Sequence, residues 1–330
     1  MRAAELRAAL DRVPRVPLVD GPTPVRRLAR AFADTEVWLK DDSSTNPAYG
    51  GNKPRKLEYL IARAKAKGQE VVTFGFESSN HAVASALHCS RFGVPCHLVL
   101  VRGPAGLSPA DEILKERKLA LVRRLAASIE TVDDYKHAAR VGTKRWLFGF
   151  GKILLIPPGG SNGLGTLGYV RAALELAEQV ERGELPMPGT IFLPLGTGGT
   201  VTGLAVGLAA LGLSTRVVAA KVVPGAVNEL PRLRWLARRV GKLVPELPRP
   251  SLSLANVAID ALALGAGYGA PTGEGLRAIE TAGATEGLAL ESTYSGKALA
   301  SLVRMKGDVK GPLLFWLTYS ELKETAPSTP

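Results

Sequence analysis

Cysteine is nearly absent. Cys89 and Cys96 are the only two in 330 residues, and their spacing matches neither CxxC nor a zinc pattern. That excludes a disulfide framework and suits a reducing cytoplasm. Long apolar runs are missing too. No stretch reaches about 18 uninterrupted apolar residues, so no membrane span is expected. The segment Met1 to Arg15 mixes charges with alanine and leucine and does not read as a signal peptide. The histidines, His81, His88, His97 and His137, form no HxH or HExxH pair, and no metal site is expected. Neither a Gly-x-Ser-x-Gly elbow nor a Gly-Lys-Ser/Thr phosphate loop is present, which argues against a serine hydrolase and a nucleotide P-loop.

Negative charge is the scarcer sign: 30 acidic residues stand against 42 basic ones, a formal charge of +12. The basic residues are scattered through Arg26-Arg27, Lys115 to Lys118, Arg123-Arg124 and Arg232 to Arg239. No helix-turn-helix, zinc-finger or RNP pattern accompanies them, and no aromatic residues are interleaved. The reading is a solvated basic surface that attracts anionic small molecules, with no nucleic-acid partner.

What is present is apolar alternation. Hydrophobic residues make up 46% of the chain, enough for a packed core. Strands are expected at 36–41, 70–74, 96–101, 128–131, 152–156, 190–195, 215–223, 289–291 and 312–318. Helices are expected at 3–13, 56–67, 80–91, 108–127, 132–147, 167–181, 200–211, 228–241, 274–282 and 296–305. Apolar strands alternating with helices imply an α/β fold whose mostly parallel sheets are covered on both faces. A Pro-Ser-Thr tail begins at Pro327.

Four places could carry chemistry. In Gly50-Gly51-Asn52-Lys53-Pro54-Arg55-Lys56-Leu57-Glu58, two glycines allow a tight turn and a lysine stands where a helix begins. A desolvated lysine there becomes a nucleophile toward an aldehyde. In Glu77-Ser78-Ser79-Asn80-His81, Ser79 or Asn80 is either a helix cap or a ligand-facing group at the carboxyl end of a parallel strand. Gly196-Thr197-Gly198-Gly199-Thr200 follows an apolar strand and opens a helix, which makes a phosphate cradle. Tyr294-Ser295-Gly296-Lys297 and Gly267-Tyr268-Gly269 offer phenols that either pack or react. Gly163-Leu164-Gly165-Thr166-Leu167-Gly168 also matches GxGxxG, but the next strand ends without the acidic residue a dinucleotide site needs.

Together these segments resemble the fold-type II pyridoxal-phosphate enzymes, and within them the 1-aminocyclopropane-1-carboxylate deaminase and D-cysteine desulfhydrase family. The resemblance runs from about Pro22 to Thr318. It implies that Lys53 binds the aldehyde of pyridoxal 5'-phosphate and that Lys56 stands on the phosphate side. Ser79 is then an active-site hydroxyl, and Asn80 contacts the ring oxygen. Gly196, Thr197, Gly198, Gly199 and Thr200 form the phosphate loop. Tyr294 and Tyr268 position substrate or move protons, and Thr318 and Ser295 lie near the pyridine nitrogen. Pro158 to Asn162 and Leu167-Gly168-Tyr169 match a further family stretch, which accounts for the GxGxxG run.

The resemblance also implies two lobes, like those of the tryptophan synthase β subunit. Residues 1–56 and 163–330 would make the larger, cofactor-binding domain, and 57–162 the smaller inserted one. The implied activity is a lyase or deaminase acting on a small amino acid by β-elimination, giving a keto acid and ammonia. The alternatives are 1-aminocyclopropane-1-carboxylate deamination, β-replacement, or a homologue that binds without turnover. A cytoplasmic homodimer is expected. Three departures stand out. Ser78 replaces the family's glutamine, Leu317-Thr318-Tyr319-Ser320 replaces His-Thr-Gly-Gly, and Ser295 replaces the glutamate of the cyclopropane deaminases. A neutral hydroxyl at the pyridine nitrogen suits elimination better than transamination.

Overall fold

The apolar runs become two separate sheets. A computed structural model of the chain describes residues 1–103, 109–225 and 229–322. Helix α1 (Ala3–Asp11) is followed by β1 (Val25–Arg27), β2 (Val37–Asp41) and α2 (Lys53–Ala66). Next come β3 (Glu70–Phe76), α3 (Asn80–Arg91), β4 (Cys96–Val101), α4 (Pro109–Leu125), β5 (Ser128–Val132), α5 (Tyr135–Phe148) and β6 (Ile153–Ile156). The chain continues through α6 (Gly163–Glu181), β7 (Thr190–Leu195), α7 (Gly199–Ala210), β8 (Arg216–Lys221), α8 (Leu230–Gly241), α9 (Pro250–Ser253) and β9 (Val257–Asp260). It closes with α10 (Gly273–Glu286), α11 (Ser295–Met305) and β10 (Leu313–Leu317).

The middle of the chain builds a four-stranded sheet in the order β5-β4-β3-β6, parallel throughout. Both ends build a six-stranded sheet in the order β1-β2-β10-β7-β8-β9. Only β1 runs antiparallel there. Strands β7 and β10 are buried along their whole length, which is why they read as uninterrupted apolar runs. The late strand β10 lies between β2 and β7, with Leu317 paired to Asp41. That register sets Thr318 beside the turn that precedes α2.

Helix α6 packs against α2, and the GxGxxG glycines make the approach possible. A Cβ at Gly168 would lie 2.1 Å from the Arg55 carbonyl oxygen, and one at Gly165 would lie 2.2 Å from that of Gly160. The run therefore serves helix packing. It also lies inside the helix: α6 starts at Gly163, not at Leu167, with Asn162 capping it by accepting from Gly165 N at 2.9 Å.

Three expectations are corrected. No strand forms at 289–291, because the carboxylate of Glu291 gathers the amides that follow it. Helix α2 begins at Lys53 rather than Lys56. Strands β1 and β9 were not anticipated; both lie at sheet edges and are only partly buried. The expected helix starts at Ser108 and Asn228, and the tail from Pro327, lie outside the described residues. Among the described residues no helix is long and apolar enough to cross a membrane.

Candidate active site

The turn into α2 is held from both sides. Gly51 adopts φ +81, and a Cβ there would lie 2.8 Å from the Thr318 carbonyl oxygen, so only glycine fits. Gly51 N donates to Asp42 O at 2.7 Å and Asn52 N donates to Thr318 O at 3.0 Å. Arg55 then anchors the first turn of the helix. Its guanidinium donates to both oxygens of Asp42, at 2.7 and 3.0 Å, and to Glu175 Oε2 at 2.7 Å. Lys40 and Tyr169 complete this buried network through Glu175 and Asp42. The result is a fixed backbone for the residues flanking Arg55.

Lys53 opens into a cavity of about 400 Å³. The wall includes Asn52, Lys56, Ser79, Asn80, Gly196, Thr197, Gly198, Thr200, Tyr268, Glu291, Tyr294 and Thr318. Lys53 Nζ donates to Asn52 Oδ1, and Asn52 Nδ2 donates to Thr200 Oγ1 at 3.1 Å. The lysine and the glycine loop are therefore joined by one side chain. Burial pulls the Lys53 pKa down to about 8; Glu291 raises it and Lys118 lowers it further. At pH 7 roughly one such amine in ten is neutral, against about one in three thousand for an ordinary lysine.

The glycine loop is built around Ser161 and Lys56. Gly198 takes φ +88 and caps α7 with no side-chain bond to the first turn. Gly199 N donates to Ser161 Oγ at 3.2 Å, and Ser161 Oγ pairs with Thr197 Oγ1 at 2.6 Å. Lys56 Nζ donates to Gly159 O at 3.1 Å and Ser161 Oγ at 3.3 Å. Burial lowers the Lys56 pKa well below the usual lysine value, and Lys53 adds to the effect. An anion beside it would favour the ammonium form.

The β3–α3 turn both caps a helix and faces the cavity. Ser79 Oγ caps α3, accepting from His81 N at 3.2 Å and Ala82 N at 3.3 Å, and it also lines the cavity. Asn80 Oδ1 accepts from Tyr49 Oη at 3.0 Å and from Lys118 Nζ at 2.7 Å. His81 is buried and held neutral, mainly by desolvation, and shares a 2.9 Å bond with Thr73.

The two phenols meet across the cavity. Tyr268 and Tyr294 share a hydrogen bond of 3.0 Å. Tyr268 also stacks on Phe76 at 5.1 Å between ring centres, and Phe76 meets Tyr135 edge-on. Burial raises both phenol pKa values, so both are protonated near neutrality. Ser295 is placed differently from the expectation. It is fully buried behind the wall, and its hydroxyl bonds with Glu291 O and Oε1 at 3.2 and 3.1 Å. Gly199 likewise contributes its N–H to Ser161 rather than a surface to the cavity.

Glu291 is a wall residue that sequence reasoning missed. Its carboxylate accepts from Thr293 N at 2.8 Å, Tyr294 N at 2.8 Å and Ser295 N at 2.7 Å. It thus caps α11 and orients Tyr294. The available signal was an acidic residue shortly before a helix start, a position that favours negative charge.

The family model for pyridoxal-phosphate-dependent enzymes matches residues 16–318. The chain belongs to this family. A D-cysteine desulfhydrase of Serratia proteamaculans (strain 568) is 34% identical over 332 residues, covering 94% of each chain. One from Klebsiella pneumoniae (strain 342) is 33% identical over 319 residues, covering 93% of this chain and 94% of the relative. A solved structure described as an ACC deaminase homologue superposes with a TM-score of 0.80 at 32% identity, covering 95% of this chain and 94% of its own. The chain is therefore a fold-type II pyridoxal-phosphate enzyme.

The cavity fits that cofactor. A half-buried amine with a pKa of about 8 suits an aldehyde. The start of α7, with Thr197, Thr200 and Lys56 in the wall, forms a donor set for a phosphate. The cradle is closed to side chains: a Cβ at Gly199 would lie 2.6 Å from Ser161 Oγ and 3.2 Å from Lys56 Nζ.

Proposed function

We propose that this enzyme releases a keto acid and ammonia from a small, uncharged amino acid by β-elimination, as a D-cysteine desulfhydrase does. One observation carries the reading: a single cavity holds Lys53, the glycine loop and the Tyr268–Tyr294 pair. The 33–34% identity to D-cysteine desulfhydrases over most of the chain supports the substrate class. No arginine stands among the described wall residues. A second carboxylate on the substrate would therefore lack a bidentate partner.

Pyridoxal phosphate, when bound, supplies the sink for the electron pair left at the substrate's α-carbon. Lys53 would hold its aldehyde, and Lys56, Thr197, Thr200 and the amides of Gly196, Thr197, Gly198 and Thr200 would hold its phosphate. Asn80 and Thr318 would face its ring. The other steps belong to the side chains. With a pKa near 8, Lys53 can give and take a proton at the α-carbon near neutral pH. Tyr268 and Tyr294 carry two hydroxyl protons but spend only one on each other. The second is free to be donated to a leaving group such as sulfide. Ser79 presents its hydroxyl at the start of α3, where the helix dipole favours the substrate carboxylate. The aromatic wall of Phe76, Tyr135 and Tyr268 keeps water from that side.

We further propose the two-lobe division at 1–56 with 163–330 and at 57–162, since the two sheets follow it. A cytoplasmic homodimer completes the proposal. The free, buried Cys89 and Cys96 suit a reducing compartment, and light scattering tests the assembly.

The test is a screen of D- and L-amino acids bearing a β-leaving group for keto-acid release. D-cysteine should give pyruvate, sulfide and ammonia. Silence with every such substrate, alongside ring opening of 1-aminocyclopropane-1-carboxylate, would move the assignment to the deaminase, which the solved neighbour favours. Consumption of an added thiol would indicate β-replacement. Tyr319, at a family glycine position, favours one further reading. Spectral change with amino acids but no product would mark a binding homologue.

A further inference from the structure

Asn80 stands at the mouth of α3 with its amide in the cavity wall. An amide can face a ligand in two ways, offering either its oxygen or its nitrogen, and the two differ by a flip. Tyr49 Oη, 3.0 Å from Oδ1, does not choose between them. A hydroxyl donates to an oxygen and accepts from an NH₂ equally well. Lys118 does choose. Its ammonium has three donors and no acceptor, and it lies 2.7 Å from Oδ1. In the flipped state two sets of donors would face each other in a buried place. Lys118 is 5% exposed, so no water would relieve the clash.

We propose that Lys118 is a positioning residue: it locks the Asn80 amide with both N–H groups free for an oxygen of the cofactor or substrate. The same ammonium donates to Ser78 O at 3.0 Å. That bond fixes the ammonium itself beside Asn80. Lys118 comes from α4, which contributes no described residue to the cavity wall. Desolvation lowers its pKa to about 8, while Glu291 and Asp111 raise it. The ammonium form is thus the major one at pH 7. The inference rests on the cofactor assignment but not on which amino acid is turned over.

The test is a double-mutant cycle on the holoenzyme, read by cofactor retention during dialysis and by the position of its absorbance band. Lys118→Met and Asn80→Ala should each weaken retention about tenfold, the effect of losing a hydrogen bond to a charged group or to the ligand. The double variant should be no worse than Asn80→Ala alone, because Lys118 acts through the amide. Lys118→Gln returns an N–H donor without charge and should recover most of the loss. Additive losses in the double variant would overturn the proposal. So would Lys118→Met with wild-type retention and band. Should Lys118→Met fail to fold, Lys118→Gln decides by the same cycle: a loss that persists in the Asn80→Ala background is fatal to it. A retained, correctly positioned band with no keto-acid release from any amino acid would instead count against the elimination reading and leave this one standing.

Discussion

Helix α2 buries cations on two sides and treats them in opposite ways. On one side Arg55 meets Asp42 and Glu175 in a closed ionic network. These carboxylates raise its pKa well above the ordinary value, although burial alone would lower it. On the other side Lys53 and Lys56 bond to neutral oxygens of Asn52, Gly159 and Ser161. Burial there lowers both pKa values. One helix turn thus separates a charge fixed for structure from amines kept poorly solvated for chemistry. The paired side holds the backbone still, so the unpaired side can remain costly without unfolding. Perturbed groups of the second kind are the ones expected at functional sites.

The sharpest break of that contrast is on the reactive side. Lys53→Ala should remove the visible absorbance band and lower turnover by about 10³-fold or more. Borohydride should bleach the wild-type band and leave the variant unchanged. A colourless wild type that stays colourless with added pyridoxal phosphate would end the assignment. On the structural side, Asp42→Ala leaves the buried Arg55 and Lys40 to share the single carboxylate of Glu175. It should cost about 3–5 kcal/mol in urea denaturation, while the chemistry of any protein that still folds should keep its pH dependence.

Acid sharpens the same comparison at a slightly smaller scale. Burial would raise the Glu175 pKa, but Arg55 and Lys40 hold it at about 2. Its folded value is depressed, so its stabilisation is fully present above pH 4.5 and is lost as pH falls toward 2. The amount is about 3 kcal/mol by linkage. Unfolding midpoints measured between pH 5 and about 2 should therefore fall for the wild type. In Glu175→Gln this part of the slope should vanish; an unchanged slope would assign the acid sensitivity elsewhere.

Much of this contrast was legible in the sequence, and the illegible part has a physical cause. The buried strands declared themselves as apolar runs, and α3, β4 and β7 fall where periodicity set them. Gly-Gly-Asn-Lys and Gly-Thr-Gly-Gly-Thr were legible because tight turns and exposed amides need those residue types in series. Edge strands β1 and β9 were not, since Val25-Arg26-Arg27 carries no apolar run and Val257-Ala258-Ile259 is too short and only half-buried. Glu291 was hidden because its work is to collect backbone amides, which leaves no periodic trace. Lys118 was hidden for another reason. It reads as one of several basic residues on a helix, and only tertiary packing brings it to Asn80.

Glu291 gives the smallest effect and the most specific one. It lines the cavity, and its charge raises the Lys53 pKa against the pull of desolvation. Capture of pyridoxal phosphate by apo-enzyme needs the neutral amine. Its rate should climb with pH, about tenfold per unit well below 8, and level off above that value. Glu291→Gln keeps an oxygen for the amides of Tyr294 and Ser295 but removes the charge. Without that charge desolvation acts unopposed, the Lys53 pKa falls further, and the plateau should arrive at lower pH. Stopped-flow absorbance of capture from pH 6 to 9.5 reads the inflection directly. A plateau that stays where it is in the wild type would mean that Glu291 does not act on Lys53 through its charge. The poised amine would then owe its state to burial and Lys118 alone.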